Sequence, residues 1–549
     1  MNHIFRKTVA AALLGYIGSA AAFTFETENV SGSFDSTVTV GVGVRASNTS
    51  CGLISRDSAG MFTGNAGPTG RGAPSACIET TAGIGDQGNL NYEKGDAFTT
   101  YLKGSHELLL KFPERITFMG RVSWLKDFSA THDSGIISAG NPTGRSQPSE
   151  ASDDLSFKAR LLDFWLSKEF SVGEQTARVR VGNQVISWGE SLFLPGGINQ
   201  VNAMDFMRLS QPGTQLKEVF LPAPIVSFAA GLGGGVNVEA YVQGRWNESY
   251  FPPTGSYWSP VNGLGKGYKD YGFRKDDARN SGQYGVAVRW QPEGTQLNLG
   301  LYGMRYHEKG PQLNLATGPA WVFPEDRKMF GVSANFPLGD WAIGTELSYR
   351  PKDAVSLNPN LGCAGNNGDC FVDEKKFQFH LTGILSMTPG DYGGILKLLG
   401  GAQTATLLAE VVGVRYPDLK RFYNGDPVGA GVWGWGQETD ITAAPRAVGT
   451  KNSWGYNLDF SWVYDGTLIP GWQVTPGVYF FHAVSGRTPN IGALFMESAK
   501  SANIYVNFTQ NPANWQFGVN YATFWGGKSV FDQVYKDRDF FGAYVSRNF

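Results

Sequence analysis

GSFDSTVTVGVGVR, residues 32–45, alternates without a break. Phe34, Ser36, Val38, Val40, Val42 and Val44 fall on one side of an extended chain, and Asp35, Thr37, Thr39, Gly41, Gly43 and Arg45 on the other. Successive side chains of a strand point to opposite faces, so a period of two reads as a strand with one apolar and one polar face. The period returns with larger side chains. Val236, Val238, Ala240, Val242 and Trp246 alternate with Asn237, Glu239, Tyr241, Gln243 and Arg245. Trp341, Ile343, Leu347 and Tyr349 alternate with Ala342, Gly344, Glu346, Ser348 and Arg350. Trp454 to Trp462 and Trp515 to Trp525 repeat it near the end of the chain. Aromatics tend to stand at the ends of the apolar faces, as girdles at two membrane interfaces require. The polar faces carry full charges, among them Lys103, Glu107, Arg121, Arg178, Arg180 and Arg289. A dry core between two such sheets would leave those charges unpaired, so the polar side must be wet and the apolar side must meet lipid.

Connection lengths give an independent signal. Short turns are expected at 113–115, 233–235, 292–295, 337–340 and 509–514, and long Gly/Pro/Asn-rich loops at 47–95, 129–154, 247–283, 351–375 and 417–452. Short periplasmic turns alternating with long extracellular loops are the rule for transmembrane barrels. The expected fold is therefore all-β: a transmembrane antiparallel β-barrel of about 18 strands, with 16 as the alternative and both termini periplasmic. Typical boundaries are 176–188, 236–246, 341–350 and 376–387.

Charge is low for the length, 17% of 549 residues, and Gly (72) is frequent. The net charge of -2 gives no reason to expect a nucleic-acid partner. At the start, Arg6 and Lys7 precede a short apolar stretch that ends in Ala20-Ala21-Ala22. This reads as a signal peptide over 1–22, with the barrel over 23–549 and delivery to the bacterial outer membrane. Four cysteines fall in two local pairs within loop sequence. In an oxidising compartment they read as disulfides Cys51–Cys77 and Cys363–Cys370. A metal site is the weaker reading, because no His lies near either pair.

One stretch breaks the pattern: GESLFLPGGINQVNAMDFMRLSQPGTQLKEV, residues 189–219. It is too apolar for an ordinary exposed loop. It reads as a segment folded into the lumen as a hatch or constriction; the alternative is an outer loop packed on the rim. Just before it, Arg178, Arg180 and Gln184 point inward on the strand pattern. The arginines can line a constriction, or be neutralised by Glu190, Asp205 or Glu218 from the segment. With Glu239, Arg245 and Glu346 on other inward faces, these residues make the candidate lumen and constriction set.

The stretch VRVGNQVISWGESLFLPGGINQVNAMDF (179–206), the following PGTQLKEVFLP (212–222), GSFDSTVTVGVGVRAS (32–47) and GNLNYEKGD (88–96) resemble the signature motifs of a proteobacterial outer-membrane family, domain of unknown function thirteen-oh-two. The resemblance implies an outer-membrane location. It also implies partners: a periplasmic or outer-membrane lipoprotein and a resistance-nodulation-division (RND) type inner-membrane transporter, with traffic of lipidic or other hydrophobic compounds. It brings no catalytic residues.

Neither H-E-x-x-H nor G-x-S-x-G occurs, and the G-x-G-x-x-G at Gly429, Gly431 and Gly434 lacks the strand and helix that a phosphate cradle needs. His106 falls on the apolar face as a packing residue. His132 and His307 fall in or beside loops, where a hydrolase dyad could be assembled. No enzyme activity, cofactor or metal is expected. The expected function is a channel or transporter for small hydrophobic molecules. Aromatic loop stretches such as GVWGWG (431–436) and YFPPTGSYW (250–258) can capture apolar ligands or rest near outer-membrane lipid and lipopolysaccharide. The rivals are a non-conducting docking barrel of an envelope transport complex and a barrel-embedded lipid or ester hydrolase.

Overall fold

In the computed structural model, residues 23–50, 53, 91–131, 147–259, 263–358, 363, 366–431, 447–529 and 532–549 are described. The main sheet has 19 strands, one of which, Phe23–Glu26, is a four-residue stub. The other 18 close a ring. They are β1 (Ser31–Arg45), β2 (Ala97–Phe112), β3 (Ile116–Asp127), β4 (Phe157–Val172), β5 (Gln175–Gln184) and β6 (Ala223–Gly233). Next come β7 (Val236–Gln243), β8 (Gln283–Trp290), β9 (Asn298–Tyr306), β10 (Arg327–Leu338), β11 (Trp341–Ser356) and β12 (Phe371–Met387). The last are β13 (Thr404–Arg415), β14 (Asn452–Ile469), β15 (Trp472–Ser485), β16 (Ala499–Gln510), β17 (Trp515–Gly526) and β18 (Phe540–Asn548). Each strand pairs antiparallel with its sequence neighbours, and β1 closes on β18, with Val40 opposite Val545. Closure removes the free edge that a membrane cannot tolerate, because backbone groups find no water in hydrocarbon.

Burial is inverted relative to a soluble protein. Val332, Phe330, Leu301, Val242, Leu166 and Val519 stand exposed on the outer surface. Lys103, Gln184, Glu346, Arg350, His380 and Glu410 are buried on the inner one. Trp290 and Tyr284 mark the two ends of the outward face of β8, with Val286 and Val288 between them. The chain is a transmembrane antiparallel β-barrel; no helix among the described residues is long and apolar enough to cross a membrane, which says nothing of crossing by strands. Arg547 breaks the apolar alternation of β18, and its guanidinium lies 5.1 Å from the Trp515 ring and 4.9 Å from the Phe549 ring. A cation over aromatic faces at the membrane boundary is favourable, which explains the exception.

Differences from the sequence expectation concentrate at the extracellular end. β11 and β12 run on past Arg350 and start before Lys376, pairing Asp353–Ser356 with Phe371–Glu374 after a register shift. The loop expected over 351–375 is thus largely a hairpin, and Cys363 and Cys370 at its tip are disulfide-bonded. The expected loop over 129–154 ends in a helix, Ser149–Ser156. β7 stops at Gln243, so Trp246 does not face lipid: it is buried against Phe323 and Ala278. A further helix, Pro389–Leu398, makes the periplasmic connection from β12 to β13. Cys51, Cys77, His132 and residues 1–22 lie outside the described residues.

Candidate functional site

The chain leaves the wall at Gln184 and rejoins it at Ala223. The root is tied by Asn202, whose amide donates to the Ile186 carbonyl at 2.7 Å and whose Oδ1 accepts from the Ile186 N–H at 3.2 Å. Between these points the backbone meets its own hydrogen-bonding needs in short pieces. There are 3-10 turns at Gly197–Val201 and Leu216–Glu218, and one helical turn at Phe206–Leu209, capped by Asp205 accepting from the Arg208 N–H at 2.8 Å. Ala203–Met204 pairs with Phe220–Leu221.

The first half of the segment is fastened to the inner faces of β10–β13 by two carboxylates. Glu346, on β11, accepts from the N–H groups of Glu190 at 2.7 Å and Ile198 at 3.0 Å. Glu410, on β13, accepts from those of Leu192 (3.3 Å), Phe193 (2.8 Å) and Leu194 (2.9 Å). Both side chains are fully buried. Buried carboxylates are costly unless paired or bonded by several donors, and here the segment supplies the donors. His380 Nδ1 lies 2.8 Å from Glu410 Oε1, Gln378 donates to the Pro195 carbonyl at 3.2 Å, and Arg350 to the Gly197 carbonyl at 3.3 Å. The approach depends on Gly196 and Gly197. Both have positive φ, +98° and +62°, and a Cβ on Gly197 would lie 2.0 Å from Glu346 Oε1.

The second half reaches the opposite wall. Asp205 pairs with Arg160 on β4, and Glu218 with Lys103 on β2 at 2.5 Å. Lys217 pairs with Glu107, which also binds Arg121 at 3.1 Å. The Tyr101 hydroxyl donates to the Pro212 carbonyl, and Lys103 to that of Gly213 at 3.0 Å. Pro212 and Gly213 rest against Gly542 and Tyr544 on β18. Residues 189–219 therefore cross the inside of the ring, from β10–β13 to β2, β4 and β18.

The candidate residues fall into four groups. Glu190, Asp205, Glu218 and Glu346 fasten the segment, with Glu190 accepting from Asn335 at 3.1 Å. Glu239 accepts from Trp188 Nε1 at 2.7 Å and pairs with Arg289 at 2.7 Å, so it steadies the root. Arg178, Arg180 and Gln184 lie on the inner face of β5 and do not touch the segment's carboxylates. This corrects the expectation that Glu190, Asp205 or Glu218 neutralises the two arginines. Asp205 and Glu218 reach other strands. Arg180 lies 4.0 Å from the Trp165 ring, Arg178 stands opposite Glu169 in register, and Gln184 binds the Ile225 carbonyl at 2.9 Å. Arg178, Glu169, Glu239 and Arg289 border a recess of about 230 Å³. Arg245 lies beyond the end of β7, on exposed surface. Sequence reasoning passed over Glu410, His380, Gln378 and Arg350. Their only signal was a polar residue at an inward position of an apolar strand, as in LLAEVVGV (407–414).

Above the segment, Gln200 donates to Glu308 at 3.5 Å. Burial holds the Glu308 carboxyl above its usual range and pushes the neighbouring Lys309 ammonium down to about 7. Lys309 donates to Asn247 at 3.2 Å and Gln283 at 3.3 Å. His307 spends both ring nitrogens on backbone, at the Ser281 carbonyl (2.8 Å) and the Asp326 N–H (3.0 Å). His106 lies on the outer face between Phe34 and Trp124, bonded to Ser36 and Trp124. No group of three or more metal-ligating side chains occurs among the described residues.

A family model described as "Protein of unknown function (DUF1302)" matches residues 4–549. No curated protein matches the chain. Among solved structures, OccAB1 of Acinetobacter baumannii is similar over 97% of this chain and 99% of its own, at 11% identity and a TM-score of 0.43. OpdK of Pseudomonas aeruginosa, solved with vanillate, is similar over 94% and 98%, at 9% identity and a TM-score of 0.40. OccK5 (OpdH) of the same organism is similar over 94% and 97%, at 9% identity and a TM-score of 0.41.

Proposed function

The chain belongs to the DUF1302 family of proteins of unknown function, and from that premise we propose that it passes small, hydrophobic or lipidic molecules across the bacterial outer membrane, with residues 189–219 as the hatch. The observation that carries the reading is the fastening of this segment across the ring by Glu346 and Glu410 on one side and by Lys103 and Arg160 on the other. A ring of 18 strands encloses space wide enough for water, so what fills it sets passage. Leu192, 37% exposed, and the half-buried Phe193 stand side by side on the segment, an apolar lip suited to apolar solutes. Arg121, Arg289 and Lys103 on the inner wall each have an acidic partner. In this reading the barrel is the outer-membrane step of a route that continues through a lipoprotein and an RND-type transporter, the partners expected from the family resemblance.

Planar-bilayer recordings of the full chain and of a variant with 189–219 replaced by a short Gly/Ser linker test the channel. The linker variant should conduct more than the full chain, and the full chain should admit an apolar dye into liposomes. If neither protein conducts and neither passes the dye, the channel reading is wrong.

A further inference from the structure

Asp459, on the inner face of β14, accepts one hydrogen bond, from the Tyr505 hydroxyl at 2.8 Å, and has no cation partner among the described residues. It differs in this from Glu346 and Glu410, which the hatch backbone satisfies, and from Glu107 and Glu239, which are paired with Arg121 and Arg289. Its surroundings are aromatic and apolar. In register it lies between Leu408 on β13 and Tyr479 on β15. The tip of the Tyr505 ring lies over Gly477 of the neighbouring strand, where a Cβ would collide with it. Phe193 meets the Tyr479 ring at 5.6 Å, and the exposed Leu192 adjoins it. Asn457, two residues along the same face, is fully buried; its Oδ1 takes the Tyr479 hydroxyl at 2.9 Å, and its amide nitrogen has no hydrogen-bond acceptor. An uncompensated carboxylate and an unspent donor thus sit where the hatch closes on the wall.

We propose that Asp459, Tyr479 and Tyr505, faced by Leu192 and Phe193, form a lumenal binding station for small organic ammonium ions with an apolar body. The inference rests on the reading of the lumen as a solute route and narrows its substrate class. The ammonium takes the place of the missing cation on Asp459, its charge is also stabilised by the tyrosine faces, and the apolar body lies against Leu408, Leu192 and Phe193. A neutral solute of the same shape gains only the apolar contacts. An anion meets the Asp459 carboxylate and is repelled.

The test is calorimetric titration of the detergent-solubilised full chain with benzyltrimethylammonium, benzyl alcohol and benzenesulfonate. The cation should bind most tightly. Asp459→Asn, which keeps an acceptor for Tyr505, should weaken the cation about tenfold and leave the alcohol unchanged. Phe193→Ala should weaken both. The proposal is overturned if wild type does not prefer the cation, or if the Asp459→Asn protein binds it equally well. Conductance separates the two readings. Asp459-dependent binding without conduction removes the channel and keeps the station; conduction without Asp459-dependent binding removes the station and keeps the channel.

Discussion

The carboxylate of Glu410 accepts the main-chain N–H of Leu194 at 2.9 Å, across 216 positions of sequence, and with the neighbouring N–H groups of Leu192 and Phe193 this makes a three-donor clasp on one side chain. A hydrogen bond to a charged group contributes about 1.5–3 kcal/mol, and removing the acceptor strands buried donors. Glu410→Ala should therefore release the first half of the 189–219 segment while leaving the ring closed. Hydrogen exchange should show at least about tenfold loss of protection at the amides of Leu192, Phe193 and Leu194. Strand amides of β13 should be unaffected. Unchanged protection at the three hatch amides would mean that the clasp is incidental.

Gly197 is a position where the segment tolerates no side chain, because its φ is +62° and Glu346 Oε1 occupies the place of a Cβ. Gly197→Ala should cost roughly 2 kcal/mol, from left-handed strain plus displacement of the Glu346 carboxylate. Gly393, in the periplasmic helix Pro389–Leu398, is the control: nothing lies within 4 Å of its Cβ position, and alanine there should be neutral or slightly stabilising. Limited proteolysis within 189–200 should rise for the first variant alone. Equal susceptibility in the two would contradict the close-approach argument.

The same contrast explains what could be read from the sequence. Strand alternation is local, so LLAEVVGV discloses that Glu410 faces inward and Val411 outward from eight residues alone. What Glu410 binds is not local. Its donors belong to a loop two hundred positions away, and any inward carboxylate, Glu346 or Asp459 included, looks the same in a period-two pattern. Charge complementarity named Glu190, Asp205 and Glu218 as partners for Arg178 and Arg180, and it failed because sign alone does not choose among several cations in a ring. Lys103 and Arg160 lie where the second half of the segment lands, and the two arginines do not. Strand lengths failed at the extracellular end for a related reason. Above the membrane the alternation between lipid and water lapses, and the pairing of Asp353–Ser356 with Phe371–Glu374 follows a register shift that composition does not disclose.

Val332 stands near the middle of the outer face of β10, exposed between Phe330 and Ala334 and opposite Leu301 and Leu347. If that face meets hydrocarbon, Val332→Arg should destabilise the folded barrel in lipid vesicles by about 2–4 kcal/mol, the cost of an arginine at mid-bilayer. Asn507→Lys on the inner face of β16 should cost clearly less, because its ammonium reaches lumenal water. Denaturant titration of vesicle-inserted protein measures both. A reversed order would turn the barrel inside out and remove the assignment of the two faces.

Lys309 gives the barrel a pH dependence with a definite sign. It is buried at the extracellular end, and its ammonium has been pushed from the ordinary 10.5 down to about 7 by burial, against the opposing pull of Glu308. Between those two values the unfolded chain binds more protons at this position than the folded one. Stability should therefore rise as pH increases from about 7 and level off near 10.5, and the penalty should be present in full below the folded value. Glu308, raised by its own burial, and Arg327 and Arg350, which act on it, share the cluster, so the wild-type slope alone is a composite. Lys309→Met isolates the lysine: it keeps an apolar stem of similar length and removes the titrating group. The difference in unfolding midpoint between variant and wild type should be largest at and below neutral pH, in favour of Met, and should shrink steadily toward pH 10. Parallel curves for the two proteins across this range would show that Lys309 keeps its proton in the folded barrel, with Asn247 and Gln283 solvating it well enough to offset burial.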